Sequence, residues 1–191
     1  MTAIWKLSAI NDNYTCFLTM DDVDESSAEE DMLLTDGKPK SWHVRPKLVP
    51  LLEKRKKNQK PLADINYVTP GSVVLNLKAY NALLEFLQPF GEFLEVDCFN
   101  TKLDGDFTHG DPHYFYNVTN IIACIDYESS GKMGAGVSDP VFFPDAIPNG
   151  IQVFKDPHWV RTDILLSNQA KVQLEKLIAD AQLTGAEIVP A

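Results

Sequence analysis

The stretch GDFTHGDPHYFY (residues 105–116) sets His109 and His113 four residues apart and brackets them with Asp106 and Asp111. Imidazoles and carboxylates at short spacing are what a divalent metal takes as ligands, and they can also serve as a general acid–base pair. Spacing of i, i+4 brings two side chains together only on a helix. Gly105, Gly110 and Pro112 oppose a helix here, and the chain has no H-E-x-x-H pattern. The stretch therefore reads as an acidic loop that launches a strand. The alternative is a metal-dependent hydrolase or transferase using His109, His113 and nearby Asp residues, with His43 or His158 completing a site gathered by a loop.

Other chemical signatures are weaker. There is no G-x-S-x-G elbow, no Walker loop and no G-x-G-x-x-G that opens a helix. GKMGAG (131–136) has glycines at short spacing but no helical pattern after it, so it reads as a flexible connection. Asp126 and Glu128, in CIDYES, stand at the end of an expected buried strand, where acids often act; a strand emerging into solvent is the preferred account of them. Cys124 sits in an apolar run with no basic neighbour to lower its pKa and reads as core. The cysteines Cys16, Cys98 and Cys124 are odd in number and far apart, which suggests neither a disulfide framework nor a zinc site. No cofactor is expected.

The elements that must position these residues are clearest in two stretches of one plan, 72–96 and 163–190. Each begins with a short apolar strand, at 73–75 or 164–166. Asn76 or Ser167 follows where a helix N-cap belongs. Apolar residues at helical spacing come next: Tyr80, Leu83, Leu84 and Leu87 in one copy, Ala170, Leu174, Leu177, Ile178 and Ala181 in the other. Gly91 or Gly185 then suits a left-handed helix end, and a final strand closes each unit at 92–96 or 187–189. Between the units, HYFYNVTNIIACIDYES (113–129) is rich in aromatic and β-branched residues. Tyr114, Tyr116 and Val118 alternate with Phe115 and Asn117, as on a strand with two different faces. Residues 121–125 read as a buried central strand, 129–150 as mostly loop, and 151–156 as strand again. AIWKLSAI and YTCFLTM near the N-terminus read as two strands, arranged as a hairpin. The expectation is an α+β fold with mixed or mainly antiparallel sheets, two strand–helix–strand units and a β-rich centre.

Length and composition agree with a single domain over 1–191, or one with a looser N-terminal lobe over 1–60. The chain has 191 residues, 45% of them hydrophobic, enough for a real core. No apolar run approaches the roughly 20 residues that span a bilayer, and the first residues lack the apolar region and cleavage site of a signal peptide. The net charge is −10, the opposite of what phosphate contacts need, so direct nucleic-acid binding is not expected. An acidic field can instead steer a basic partner. Charge is uneven: residues 21–36 hold eight acids and no base, and 38–60 hold nine bases and one acid. The first reads as a solvated loop. The second reads as a wet surface with a short helix near 51–56; as a partner-binding patch it would suit a scaffold subunit.

Three stretches together resemble an immunity-protein family of bacterial polymorphic toxin systems, long catalogued as a domain of unknown function. YFYNVTNIIACIDYESS (114–130) is similar to its tyrosine-rich strand, apolar strand and Asp–acid–Ser ending. PLADINYVTPGSVVLNLKAYNALLEFLQPFGEFLEV (61–96) resembles its Asp, Gly, strand, capped helix, Gly and Glu-rich strand, with Asn76 where Ser is usual. IQVFKDPHWVRTDILLSNQAKVQLEKLIADAQLTGAEIVP (151–190) resembles its C-terminal end, including the Leu-Thr-Gly turn. The 21–36 and 131–150 segments have no counterpart in that pattern. The resemblance implies a non-catalytic, cytoplasmic protein that binds a cognate toxin, a basic or nuclease-type enzyme, without membrane or nucleic-acid contact. The residues expected to touch the toxin are Asp104, Asp106, Asp111 and Trp159, which combine charge with aromatic area in or beside loops.

Overall fold

In a computed structural model, residues 3–9, 13–19, 32–51, 60–68, 71–101, 107–133 and 136–191 are described. Both stretches of common plan fold as strand, helix, strand. The first comprises β5 (Val73–Asn76), α1 (Leu77–Leu87), a 3-10 turn (Gln88–Phe90) and β6 (Gly91–Thr101). The second comprises β12 (Ile164–Leu166), α2 (Asn168–Asp180) and β13 (Ala186–Pro190). Each helix starts where a short polar side chain can satisfy an otherwise orphaned N–H. Asn76 Oδ1 accepts from Ala79 N at 2.9 Å, and Ser167 Oγ accepts from Ala170 N at 3.3 Å. The faces correspond as well: Ala79 and Leu83 are buried on α1, Ala170 and Leu174 on α2.

In neither unit do the two strands pair with each other. A third strand lies between them, antiparallel to both: β8 (His113–Val118) between β5 and β6, and β1 (Trp5–Ala9) between β12 and β13. The registers match. Leu75 faces Tyr114 and Leu166 faces Trp5; Phe93 faces Tyr116 and Ile188 faces Leu7. Even the contact above the inserted aromatic recurs in altered chemistry. Tyr80 of α1 stacks on Tyr114 at 3.9 Å, and Lys171 Nζ of α2 lies 4.6 Å over the Trp5 ring. Two split units of one design therefore form the two halves of the fold.

The first half lies in a large sheet of order β2–β3–β6–β8–β5–β4, with β2 (Phe17–Thr19), β3 (Lys47–Pro50) and β4 (Ile65–Tyr67). Only β3 and β6 pair in parallel there. The second half is an antiparallel sheet of order β11–β12–β1–β13, with β11 (Val153–Phe154). This is an α+β fold with mainly antiparallel sheets. Leu83 and Leu87 of α1, Leu174 of α2, Val73 and Leu75 of one sheet and Ile164 and Leu166 of the other share one core. Strand alternation sends the intervening residues to opposite faces. Val74 and Phe115 join Phe17 and Leu48 behind the large sheet, while Leu165 joins Ile4 and Phe154 behind the small one. As expected from its alternation, β8 divides its side chains between two cores, Tyr116 and Val118 in one and Phe115 in the other.

Several expectations are corrected. The N-terminal strands form no hairpin, because β1 is drawn between β12 and β13 while β2 pairs β3. Residues 121–125 form no strand; they make isolated bridges at Ile121 and Ile125, and Ile121 is 37% exposed. The cause is Asp156, whose Oδ2 accepts the N–H groups of Cys124 (2.7 Å) and Ile125 (2.9 Å) that a ladder would need. Gly91 is extended (φ −176°), not left-handed. A side chain there would meet Asn117 O at 2.3 Å, so close strand packing requires the glycine. Gly185, at φ +97°, does adopt the left-handed region. Within the expected 129–150 loop, β9 (Lys132–Met133) pairs β10 (Gly136–Val137). The strand expected over 151–156 is confined to β11. The helix expected near 51–56 lies, apart from Leu51, outside the described residues, as does most of the acidic 21–36 segment.

Candidate functional site

Residues 107–116 are built around a β-bulge. β7 (Phe107–His109) and β8 pair antiparallel with β6, Phe99 facing His109 and Val96 facing His113. Between those pairs, two residues of β6, Asp97 and Cys98, oppose three, Gly110, Asp111 and Pro112. An extra residue of this kind kinks a strand and re-aims its side chains. Gly110 N–H still reaches Cys98 O at 2.7 Å, and Pro112, with no N–H to donate, is tolerated at a bulge.

The bulge separates the two histidines. His109 is exposed, its ring 4.6 Å from that of Phe99. His113 is buried edge-on to Phe17 at 5.3 Å, with Nδ1 2.8 Å from Asp111 O. Burial holds the His113 pKa below its usual value against the opposing pull of Asp111, so the ring is neutral at pH 7. Among the described residues no group of three or more His, Cys, Asp or Glu is placed to hold a metal ion.

Asp111 is exposed and borders a cleft of about 470 Å³. The bulge forms one wall; Phe17, Cys98 and Asn100 and the first turn of α1, with Leu77 and Lys78, form the others. Burial, reinforced by Asp97, pushes the Cys98 thiol up to about 12, which leaves no thiolate near neutrality. Lys78 is held by Asp64 Oδ2 at 3.3 Å and Gln182 O at 2.7 Å. Asp64 also takes Asn76 Nδ2 on Oδ1, and Thr184 N and Oγ1 on Oδ2, so it joins the cap of α1 to the turn before β13. Burial raises the Asp64 pKa, but these donors together outweigh it and lower the value. A mixed apolar and polar cleft with an exposed carboxylate on its bulged wall is suited to receiving a cationic or amphipathic side chain.

Of the four residues expected at an interface, Asp104 and Asp106 lie outside the described residues. Trp159 is 8% exposed and packs 6.3 Å from Phe142, with Lys6 Nζ 5.9 Å from its ring centre. It lines a different cleft from Asp111, one of about 530 Å³ bordered by His158 and Arg161. Most of its ring belongs to the core behind the small sheet. Asp126 caps a turn, its Oδ1 accepting Glu128 N and Ser129 N at 3.1 Å each. The hydrogen bonds from Ser129 and Glu128 lower its pKa despite a small opposing effect of burial.

Lys155 and Asp156, neither of them a candidate on sequence grounds, are both buried. Lys155 Nζ is fully buried and donates to Thr35 Oγ1 (2.8 Å), Gly71 O (3.1 Å), Val160 O (2.8 Å) and Thr162 O (3.4 Å). Burial brings its pKa down to about 7, against an upward pull from Asp163. Asp156, besides its two bonds to Cys124 and Ile125, accepts His158 N at 2.8 Å. A Lys-Asp pair wedged between Val-Phe and Pro was the available signal, since charges that interrupt an apolar strand must find partners. Among the described residues no helix is long and apolar enough to cross a membrane. No family model matches the chain, and no curated protein matches it.

Proposed function

We propose that this chain is an immunity protein that binds a cognate bacterial toxin in the cytoplasm and blocks it by protein–protein contact through an acidic surface, without catalysis of its own. The observation that carries this reading is the exposed Asp111, presented by a bulge beside a mixed cleft on a chain of net charge −10. Several of the described cations are already engaged. Lys6 pairs with Asp163, Arg45 with Glu95 and Asp97, Lys78 with Asp64, and Lys171 with Glu175. A net charge of −10 can steer and orient a basic enzyme. The resemblance over 61–190 supports the same reading from the residues themselves.

The test is co-expression with the product of the gene beside its own. Relief of toxicity and a co-purifying complex are expected; failure of both removes the reading. Reversing Asp104, Asp106 and Asp111 to Lys together should slow association, with the loss largest at low salt. Unchanged association would exclude that patch as the contact.

A further inference from the structure

Residues 139–145, DPVFFPD, carry a feature that folding alone does not require. Phe142 turns inward, bridging to Ile125 and packing beside Trp159. On extended chain its neighbours point the other way, and Val141 and Phe143 are 44% and 53% exposed. The backbone that carries them is fixed. Val141 O accepts Asp126 N at 2.7 Å, Val141 N donates to Ser130 Oγ at 2.9 Å, and Phe143 N donates to Cys124 O at 2.6 Å. Pro140 and Pro144 lock φ on either side. A lone exposed apolar residue needs no account; here two adjoin on a backbone held rigid, one of them aromatic. Asp139 and Asp145 are exposed on either side of them in sequence.

We propose that this ridge is the anchor by which the chain docks on a basic protein: Phe143, with Val141, enters an apolar hollow whose rim carries Lys and Arg opposite Asp139 and Asp145. The inference rests on the immunity reading, the partner being the toxin. Charge selects this occupant over the others. A second copy meeting this ridge with its own would set carboxylates against carboxylates, and an anionic membrane would repel them. A preordered aromatic loses little freedom on binding, which is how a few such residues come to hold an interface together.

The experiment uses the full chain and the purified product of the adjacent gene, with association and dissociation followed at 50 and 500 mM salt. Phe143→Ala should speed dissociation by at least about 30-fold while association changes little. Asp139→Lys with Asp145→Lys should slow association about tenfold at low salt and far less at high salt. Val172→Ser, which alters a more exposed apolar residue on α2 (64%), should change neither rate. All three variants alter exposed side chains, so urea midpoints should match the wild type. If the wild-type chain binds and Phe143→Ala binds equally well, the ridge is not the anchor and the immunity reading stands. If the wild-type chain does not bind, the immunity reading falls and this inference with it. If instead Phe143→Ala abolishes self-association or binding to phosphatidylserine vesicles, the occupant proposed here is wrong.

Discussion

Replacing Lys155 by Met tests how far the buried ammonium governs the stability of the fold. Its Nζ ties Thr35, Gly71, Val160 and Thr162 together with no exposure to water, and its pKa is about 7. Below pH 7 the folded and unfolded chains both hold the proton, so this group adds no pH dependence. Between pH 7 and the ordinary lysine value of 10.5 the unfolded chain keeps a proton that the folded chain has released. Unfolding then takes up a proton, and stability rises with pH. One such proton is worth roughly 1.4 kcal/mol per pH unit, so the wild type should gain about 3 kcal/mol between pH 7 and pH 9.5 from this group.

Lys155→Met removes that gain while keeping most of the side-chain volume. It also strands oxygen acceptors, although Val160 O retains the Thr35 hydroxyl as donor. Stranded acceptors cost about 1–3 kcal/mol each, and loss of the desolvated charge offsets part of that. The offset at any one pH therefore decides little, whereas the difference in slope decides the matter. Urea unfolding followed by tryptophan fluorescence at pH 6, 7, 8.5 and 9.5 measures it, and other titrating groups cancel between the two proteins. Parallel stability curves would refute the reasoning, since they would mean that Lys155 keeps its ordinary proton affinity in the fold.

Asp64 should give a slope of the same sign, but at acidic pH. Its pKa is lowered in the fold, so its contribution is present above the unfolded value of 3.8 and is lost as pH falls through the folded value. Asp64→Asn should cost about 1–3 kcal/mol at pH 7, and the gap from wild type in urea midpoints should narrow as pH falls below 3.8. Two glycines with positive φ separate conformational strain from collision. At Gly185 a Cβ would meet Ile65 O at 2.1 Å; at Gly150 (φ +113°) it would meet nothing within 4 Å. Gly150→Ala should cost about 1 kcal/mol, and Gly185→Ala clearly more, as thermal unfolding would show.

What could be read from the sequence was local. The helix caps Asn76 and Ser167, the apolar positions after them and the alternation through Tyr114–Phe115–Tyr116 each express a short-range rule, and each appears in the structure, except that Phe86 rather than Leu84 joins the core from α1. What could not be read depends on partners distant in the chain. Nothing within AIWKLSAI says that it will be inserted between two strands near the other terminus, where it completes the second unit. IIACI has the composition of a buried strand, yet a carboxylate some thirty residues on takes its N–H groups at 2.7 and 2.9 Å. The bulge at 110–112 was half visible. Gly110 and Pro112 ruled out a helix, but that two residues of β6 would face three depends on pairing with a strand from the first unit.

The paired units also indicate where to look for what is particular to this chain. Up to Phe93 and Ile188 their strands follow matching registers, and a feature shared by both halves serves the packing they share. The halves diverge beyond that point. β13 ends at Pro190, whereas β6 continues to Thr101, and the added length takes β3 on one edge and the bulge with β7 on the other. The long connection from β8 to β12 has no counterpart of its kind in the first unit; it supplies Lys155, Asp156 and the ridge at 139–145. Asp111 and Phe143 thus lie on the two parts of the chain that the repeated design does not need. Exposed side chains in those parts, such as Asp111 and Phe143, can change without disturbing the common core, as a surface fitted to one partner requires.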